Sequence, residues 1–135
     1  MLNAEQVQAV IYEGLPAASE EGLVVESIGD RRARVRSPFR PSALRPGGTL
    51  SGPTMMGLAD AAMYAAVLGA LGRVEMAVTQ NLNINFLSRP AQKDLIAEAV
   101  ILRLGRRSAV LEVQLFSEGS DDMVAHVTGT YALPA

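Results

Sequence analysis

Asp60 is the only charged residue in a long apolar stretch, and it is the first candidate for chemistry. From Pro53 to Leu71 the other residues are mostly Ala, Leu, Met and Gly. A carboxylate in such surroundings must find hydrogen-bond partners or serve at a site. Its type predicts a general base or a nucleophile. The alternative is a structural aspartate that caps a neighbouring loop or pairs with an arginine.

Ser51, Gly52 and Pro53 open this stretch and are typical of a helix start. Serine is favoured as an N-cap, and proline is tolerated in the first turn, where its missing N–H costs nothing. Backbone N–H groups at a helix N-terminus also bind anions, including the oxyanion that develops in acyl transfer. The segment therefore predicts either an ordinary capped helix or one whose first N–H groups stabilise a developing negative charge.

The composition excludes several other kinds of chemistry. The chain has no cysteine, which excludes disulfides, thiolate metal sites and a cysteine nucleophile. His126 is the only histidine, so an HExxH metal site is excluded, and a Ser-His-Asp triad would need His126 as its base. The formal net charge of −2 gives no electrostatic case for binding nucleic acid.

Nothing in the sequence predicts a membrane partner. The first residues are acidic and amphipathic, unlike a secretory signal. The apolar stretch approaches membrane-spanning length, but Asp60 and several small residues favour a helix buried within protein. We expect a cytoplasmic protein, and the length of 135 residues predicts one domain over residues 1–135.

Periodicity and turn residues predict the elements that position Asp60. Helical spacing predicts an N-terminal helix within residues 1–14, with Asn3 as the N-cap and Gly14 as the stop. Gly29-Asp30 predicts a hairpin between residues 23–28 and 33–36. A Pro/Gly-rich loop then leads to a central helix over residues 52–71. Four strand candidates follow, separated by turn signals: Met76–Leu87, Leu95–Leu104, Ser108–Ser117 and Met123–Leu133.

One long helix among about six antiparallel strands predicts an α+β fold with the sheet wrapped around the helix. The central helix is apolar almost all round, as expected for a buried helix rather than a surface one. Its many alanines and glycines would let the strands approach closely.

The helix entry at residues 48–60, the following strand 78–87 and the Gly129-Thr130 pair resemble the phenylacetyl-CoA thioesterase-like (PaaI-like) hotdog-fold thioesterases. The resemblance covers residues 20–133. It implies the hotdog fold, with a long central helix wrapped by an antiparallel sheet of about five to six strands. It also implies hydrolysis of a small or medium acyl-CoA thioester, with coenzyme A as part of the substrate and no bound metal or separate cofactor. The protein would be a homo-oligomer, either a dimer or a dimer of dimers.

The same resemblance assigns roles to three residues. Asp60 falls on the position of the catalytic carboxylate, Gly52 on that of the oxyanion-hole N–H, and Thr79 on that of a hydroxyl that orients the carboxylate or its water. In family dimers the Asp60 and Gly52 positions come from opposite chains. The family opens this helix with His-Gly-Gly, whereas Ser51 and Pro53 flank Gly52 here.

Candidate substrate contacts are spread over the chain. Ser51 and Asn81 are expected near the site. The resemblance places Arg45 at a position that often holds a polar residue facing the substrate, with a solvated loop arginine as the alternative. Arg106 is the best candidate for the phosphates of coenzyme A. Met56 belongs to a set of side chains that would line an acyl pocket or simply pack the core. The other members of that set are Met55, Leu58, Met63, Tyr64 and Leu68. Further basic residues, for which solvent exposure is the alternative, are Arg89, Lys93, Arg103 and Arg107.

Two other functions stay open at this point. The Ser51 and Pro53 replacements motivate a non-catalytic hotdog module that binds acyl-CoA or another ligand. A hotdog enoyl-CoA hydratase is the weaker alternative, because such enzymes use a histidine paired with a carboxylate and the helix entry has none. Asn81, Asn83 and Asn85 alternate with apolar residues, which predicts a polar sheet face or a subunit contact.

Overall fold

A computed structural model describes all residues 1–135 and contains three α-helices and a six-stranded sheet. The helices are α1 (Ala4–Gly14), α2 (Pro16–Glu21) and α3 (Gly52–Leu71), with a 3₁₀ turn at Pro41–Ala43. The six strands are β1 (Val24–Gly29), β2 (Arg32–Ser37), β5 (Val78–Phe86), β6 (Leu95–Leu104), β7 (Ser108–Ser117) and β8 (Met123–Ala132). A short ribbon of β3 (Leu44–Arg45) and β4 (Thr49–Leu50) precedes α3.

The sheet is antiparallel throughout and has the order β1-β2-β6-β7-β8-β5. All six strands contact α3, which lies across one face that we call the inner face. The predicted α+β fold, with a sheet around a long helix, is therefore confirmed. β5 follows α3 in the chain but lies at the sheet edge beside β8, so one side of its backbone has no partner within the chain.

The core forms where α3 meets the inner face. Met63, Val67 and Leu68 are fully buried in it, together with Leu111 and Val127 from the sheet. By length and composition α3 could cross a membrane, with a mean hydropathy of 1.4, but 56% of that window is buried within the protein. Met63 and Leu68 therefore pack the core, which was the alternative to an acyl-pocket role.

Most predicted elements form where local patterns indicated. Asn3 caps α1 in a reciprocal capping box with Gln6, and the 29–30 hairpin and the central helix are both present. β6 and β7 have the predicted bounds, and β5 and β8 are slightly shorter than predicted. α2 was not predicted, because none of its six residues is buried and it carries no apolar periodicity.

The arginines of β2 lie on the outer face, away from α3, and form ion pairs. Arg34 contacts Glu26 at 2.8 Å, and Arg36 contacts the same carboxylate at 2.6 Å. Further partners on neighbouring segments are Asp94, Glu98 and Glu118. The alternating sequence predicted a solvated face here, whereas sheet register adds charged partners from segments far apart in the chain.

Gly129 of β8 lies in close contact with both α3 and the neighbouring strand β5. A Cβ added there would lie 2.7 Å from Sδ of Met63 and 2.9 Å from the backbone oxygen of Asn81. Met63 can change rotamer, but the Asn81 oxygen belongs to the β5 backbone. We therefore expect Gly129→Ala to lower the free energy of unfolding by about 1–3 kcal/mol through overpacking, as measured by urea denaturation.

Gly57 provides the matched control for this prediction. A Cβ added at this exposed position on α3 would meet no atom within 4 Å. Alanine is a better helix former than glycine, so Gly57→Ala should raise the free energy of unfolding by about 0.5–1 kcal/mol. Equal effects of the two substitutions would contradict the close approach inferred at Gly129.

Candidate active site

The carboxylate of Asp60 is held by two hydroxyl groups from the sheet. Its Oδ1 accepts hydrogen bonds from Thr79 Oγ1 at 2.6 Å and from the Tyr131 hydroxyl at 2.8 Å. The Tyr131 hydroxyl also lies 3.1 Å from the Asp60 carbonyl oxygen. Both donors act on Oδ1, which leaves Oδ2 available for another partner. The two carboxylate oxygens therefore have different surroundings.

Tyr131 was not among the residues predicted from sequence. It lies 71 residues from Asp60 and is only 3% exposed. Burial, together with the nearby Asp60 charge, raises the pKa of Tyr131 well above its usual range. Its hydroxyl thus stays protonated and donates. The available signal was weak: a tyrosine on an apolar strand face usually finds a hydrogen-bond partner.

Thr79 reaches Asp60 because β5 contains a bulge. Register against β8 shifts between Thr79 and Asn81, which leaves Gln80 as the extra residue. Strict alternation would put Thr79 and Asn81 on the same face. With the bulge, Thr79 points to α3 while Asn81 is exposed. Bulges of this kind often redirect a side chain beside an active site.

Asp60 lines a cavity of about 550 Å³, which we call the Asp60 cavity. Its walls come from the end of α1, the middle of α3 and the start of β5. Arg73 lies among three carboxylates there and pairs with Glu13 and Glu75, both at 3.2 Å. The apolar part of the wall consists of Val10, Leu15, Tyr64, Met76, Ala77, Val78 and Tyr131.

Two stacked tyrosine rings form part of that wall. The rings of Tyr64 and Tyr131 have centroids 6.0 Å apart and an interplanar angle of 15°. Tyr64 follows Asp60 by four residues on α3, so both lie on the same helix face. Its hydroxyl donates to the Glu75 carbonyl oxygen at 3.0 Å and not to the carboxylate. Tyr64, which the sequence placed in an acyl pocket or the core, thus lines the cavity.

Gly52 lies in a second cavity of about 440 Å³, the Gly52 cavity. It is the first residue of α3, so its N–H has no partner within the helix. A Cβ on Gly52 would lie 3.2 Å from Cζ of Phe86, so the glycine lets that ring approach closely. Ser51 has a structural role here, since its Oγ accepts from the Thr54 N–H at 3.3 Å and caps α3.

Within one chain, the Gly52 N–H and the Asp60 carboxylate are too far apart to act on the same carbonyl group. Eight residues separate them on α3, which corresponds to about 12 Å along the helix axis. They also line different cavities. The two predicted catalytic groups can therefore meet only if a second chain brings its own copy.

The other predicted substrate contacts divide between the cavities and the surface. Arg45 lines the Gly52 cavity together with Arg89. Asn81 is exposed on β5, Met56 is 43% exposed on α3, and Arg106 is exposed in the β6–β7 turn. None of these three lines the Asp60 cavity or the Gly52 cavity.

His126 lies on the outer face of the sheet. Its Nε2 is 3.0 Å from Oε2 of Glu112 on the neighbouring strand β7. Val127 and Tyr131, at odd positions of the same strand, are buried on the inner face. The sheet therefore separates this histidine–carboxylate pair from Asp60, so the two cannot form a joint acid–base pair.

Comparisons with known proteins agree on one family. Residues 47–124 match the family model of the thioesterase superfamily. A crystal structure described as a putative thioesterase from Silicibacter sp. TM1040 is 37% identical, with a TM-score of 0.90, and the match covers 100% of this chain and 94% of that chain.

Two further relatives extend this comparison. The phenylacetic acid degradation protein PaaI of Thermus thermophilus, solved as a point mutant, is 29% identical with a TM-score of 0.76. The match covers 87% of this chain and 97% of that chain. A putative esterase of Halobacterium salinarum is 34% identical over 99 residues, which span 70% of this chain and 65% of that protein.

Proposed function

This chain belongs to the thioesterase superfamily, and we propose that it hydrolyses small or medium acyl-CoA thioesters to the free acid and coenzyme A. The observation that carries the proposal is the asymmetric setting of the Asp60 carboxylate. Thr79 and Tyr131 hold Oδ1, and Oδ2 is left for a reactant in the adjoining cavity. Coenzyme A is part of the substrate, and the chemistry needs no metal or separate cofactor.

In the first route, Asp60 acts as a general base. Oδ2 takes a proton from water while the water oxygen bonds to the thioester carbonyl carbon, whose electron pair moves to the carbonyl oxygen. Collapse of this tetrahedral intermediate reforms the carbonyl group and breaks the C–S bond. The proton then passes from Asp60 to the sulfur, which gives the acid and the thiol.

In the second route, Asp60 attacks the carbonyl carbon directly. Oδ2 forms a mixed anhydride with the acyl group, the thiolate leaves with a proton from solvent, and water then hydrolyses the anhydride. Both routes need an immobilised carboxylate with one oxygen free. The hydrogen bonds from Thr79 and Tyr131 support that requirement and favour neither route.

The oxyanion in either route would be stabilised by the Gly52 N–H of a second subunit. The free edge of β5 supports such a dimer, since an antiparallel β5 pair would continue the sheet across a two-fold axis. A two-fold axis at Asn83 would keep the inner faces of both β5 strands on the same side of the joined sheet. Because Gln80 is the extra residue of the bulge, this pairing would set Thr79 beside the partner subunit's Phe86, and so join one Asp60 cavity to the partner's Gly52 cavity.

We therefore propose a homodimer as the smallest active unit, with a dimer of dimers as its larger assembly. Strand β5 also exposes Val78, 57%, and Phe86, 51%, which a partner would cover. Sedimentation equilibrium should give twice or four times the chain mass of 14.3 kDa. A monomer with full activity would contradict the shared site.

A panel of acyl-CoA substrates of increasing chain length tests the proposed activity. Thiol release, followed with a thiol-detecting reagent, is expected for small or medium acyl groups. Binding of acyl-CoA without thiol release would instead indicate the ligand-binding module. Hydration of an enoyl-CoA would indicate the hydratase, although the outer-face position of His126 gives that reaction no acid–base pair at Asp60.

Thr79→Val should lower kcat about tenfold. The substitution keeps the shape of the side chain but removes one of the two donors to Oδ1, and a hydrogen bond to a charged group contributes about 1.5–3 kcal/mol when well formed. The lower end is appropriate because Thr79 is exposed. Thr79→Ser keeps the hydroxyl and should retain most of kcat. Equal losses in both variants would show that the hydroxyl is not what matters.

A further inference from the structure

We propose that Arg45 and Arg89 form the subsite that binds the phosphate groups of the coenzyme A carried by the substrate. The inference rests on the proposed thioesterase function and extends it to the carrier end of the substrate. Both arginines line the Gly52 cavity, and no carboxylate lines it with them. The cavity wall thus carries two positive charges and no negative one.

Arg45 and Arg89 form no ion pair with a carboxylate, and both line the same cavity. Five other cations without an ion pair line neither the Asp60 cavity nor the Gly52 cavity: Arg31, Lys93, Arg103, Arg106 and Arg107. Arg34, Arg36, Arg40 and Arg73 all lie in ion pairs with carboxylates. Arg32 lines a depression on the outer face of the sheet, but Glu98 and Glu112 share that depression. The charges of Arg45 and Arg89 are therefore available to an incoming anion.

The walls of the two cavities carry opposite net charge, and this difference would orient the substrate. Glu13, Asp60 and Glu75 line the Asp60 cavity with Arg73 as the only cation, so its wall carries more negative than positive charge. Phosphate groups would be repelled there, whereas an uncharged acyl group can contact its apolar wall. The acyl end therefore fits the Asp60 cavity, and the phosphates fit the Gly52 cavity of the partner.

The arginines come from two segments that are fastened to each other. Arg45 ends β3, and Arg89 follows β5 in the loop that leads to β6. In that loop, Gln92 donates from Nε2 to the carbonyl oxygen of Gly48 at 2.8 Å, which ties it to the β3–β4 turn. Two guanidinium groups are thus held at one opening, and guanidinium is the side-chain group that best matches phosphate oxygens.

Comparison of two carriers tests the subsite in the whole protein. The same acyl group is offered as a thioester of coenzyme A and of pantetheine, which has the same thiol but no phosphate. Arg45→Ala and Arg89→Ala should each raise KM for acyl-CoA about fivefold to tenfold and leave KM for acyl-pantetheine unchanged. Arg32→Ala, which removes a positive charge from the outer face, is the matched control. It should change neither the KM for acyl-CoA nor the KM for acyl-pantetheine.

Direct binding separates this proposal from the function on which it rests. Calorimetric titration with coenzyme A, dephospho-coenzyme A and pantetheine needs no turnover. Weaker binding of coenzyme A, but not of pantetheine, in the Arg45→Ala/Arg89→Ala double variant supports the subsite even if no thioester is hydrolysed. The dephospho form then shows whether the 3′-phosphate or the pyrophosphate is bound.

Three results would overturn the assignment. If the double variant binds coenzyme A as tightly as the wild type does, Arg45 and Arg89 do not form the phosphate subsite. Equal losses for coenzyme A and pantetheine place the effect on the thiol arm or on folding instead of the phosphates. A rise in KM for acyl-CoA with Arg106→Ala, together with no rise for Arg45→Ala or Arg89→Ala, moves the phosphate contact to the β6–β7 turn.

Discussion

Asp60→Asn is expected to lower kcat for acyl-CoA hydrolysis by roughly 10²–10⁴-fold, the usual range for loss of a positioned acid–base group. Asparagine keeps the shape and can still accept hydrogen bonds from Thr79 and Tyr131 on one oxygen. It replaces Oδ2 with an NH₂ group, which can neither take a proton from water nor attack a carbonyl carbon. Binding of acyl-CoA should be largely retained, so the loss is expected in kcat more than in KM.

Asp30→Asn is the control for this variant. Asp30 is an exposed carboxylate in the β1–β2 turn and forms no ion pair, so its loss should leave kcat unchanged. Melting temperatures of both variants check that the fold is intact. If Asp60→Asn melts like the wild type and keeps wild-type kcat, Asp60 is not the catalytic group.

A single turnover in ¹⁸O-labelled water tests for direct attack by Asp60. When Asp60 attacks directly and water then attacks the aspartyl carbon of the anhydride, a carboxylate oxygen passes to the acid product, so the first turnover with enzyme in excess yields unlabelled acid. The label then remains on Asp60. Base catalysis transfers the water oxygen, so the same turnover yields labelled acid. Unlabelled acid, with the label found on Asp60 by mass spectrometry of the protein, therefore identifies direct attack.

The second large effect is expected for Tyr131→Phe, with kcat about tenfold to a hundredfold lower. The substitution removes a buried hydrogen bond to a charged oxygen, which contributes about 1.5–3 kcal/mol. Tyr131 donates to Oδ1 of Asp60 and makes no hydrogen bond to Oδ2, so we treat it as a positioning residue and expect KM to change little. Since burial and the Asp60 charge raise the pKa of Tyr131, its own ionisation should cause no alkaline loss of wild-type activity in the ordinary assay range.

Tyr64→Phe is the matched control, because it alters the other ring of the same stack. Its hydroxyl donates to the Glu75 carbonyl oxygen, so kcat should stay within about twofold of wild type. The double variant Tyr131→Phe/Thr79→Val tests whether the two donors act on one oxygen. A combined loss that differs from the product of the single losses indicates coupling, as expected for donors that share Oδ1. Equal kcat values for Tyr131→Phe and Tyr64→Phe would show that the Tyr131 hydroxyl does not position Asp60.

The fold was largely predictable because its elements are encoded in neighbouring residues. Alternation predicted β6 and β7 with their observed bounds. The start of α1 depends on a capping box between Asn3 and Gln6, which lie only three positions apart in the chain. The apolar run after Ser51 predicted α3 and its burial. α2 escaped prediction because it buries no side chain and so leaves no pattern.

The candidate site was less predictable, because its contacts join distant segments. The sequence singled out Asp60 and Gly52, and the family resemblance added Thr79. Only the bulge at Gln80 brings Thr79 to the face of the sheet that contacts α3, and strict alternation would have sent it outward. Tyr131 reaches Asp60 across 71 residues through the β5–β8 register, which no local pattern encodes.

The sequence by itself determined the order of elements, the apolar central helix and the lone carboxylate within it, because these depend on residue type and short-range periodicity. The tertiary structure decided which carboxylate oxygen is held, which hydroxyls hold it, and that Gly52 and Asp60 line separate cavities of opposite charge. Those features depend on strand register and on the distance along a rigid helix. Both arise only when residues far apart in the chain pack against one another.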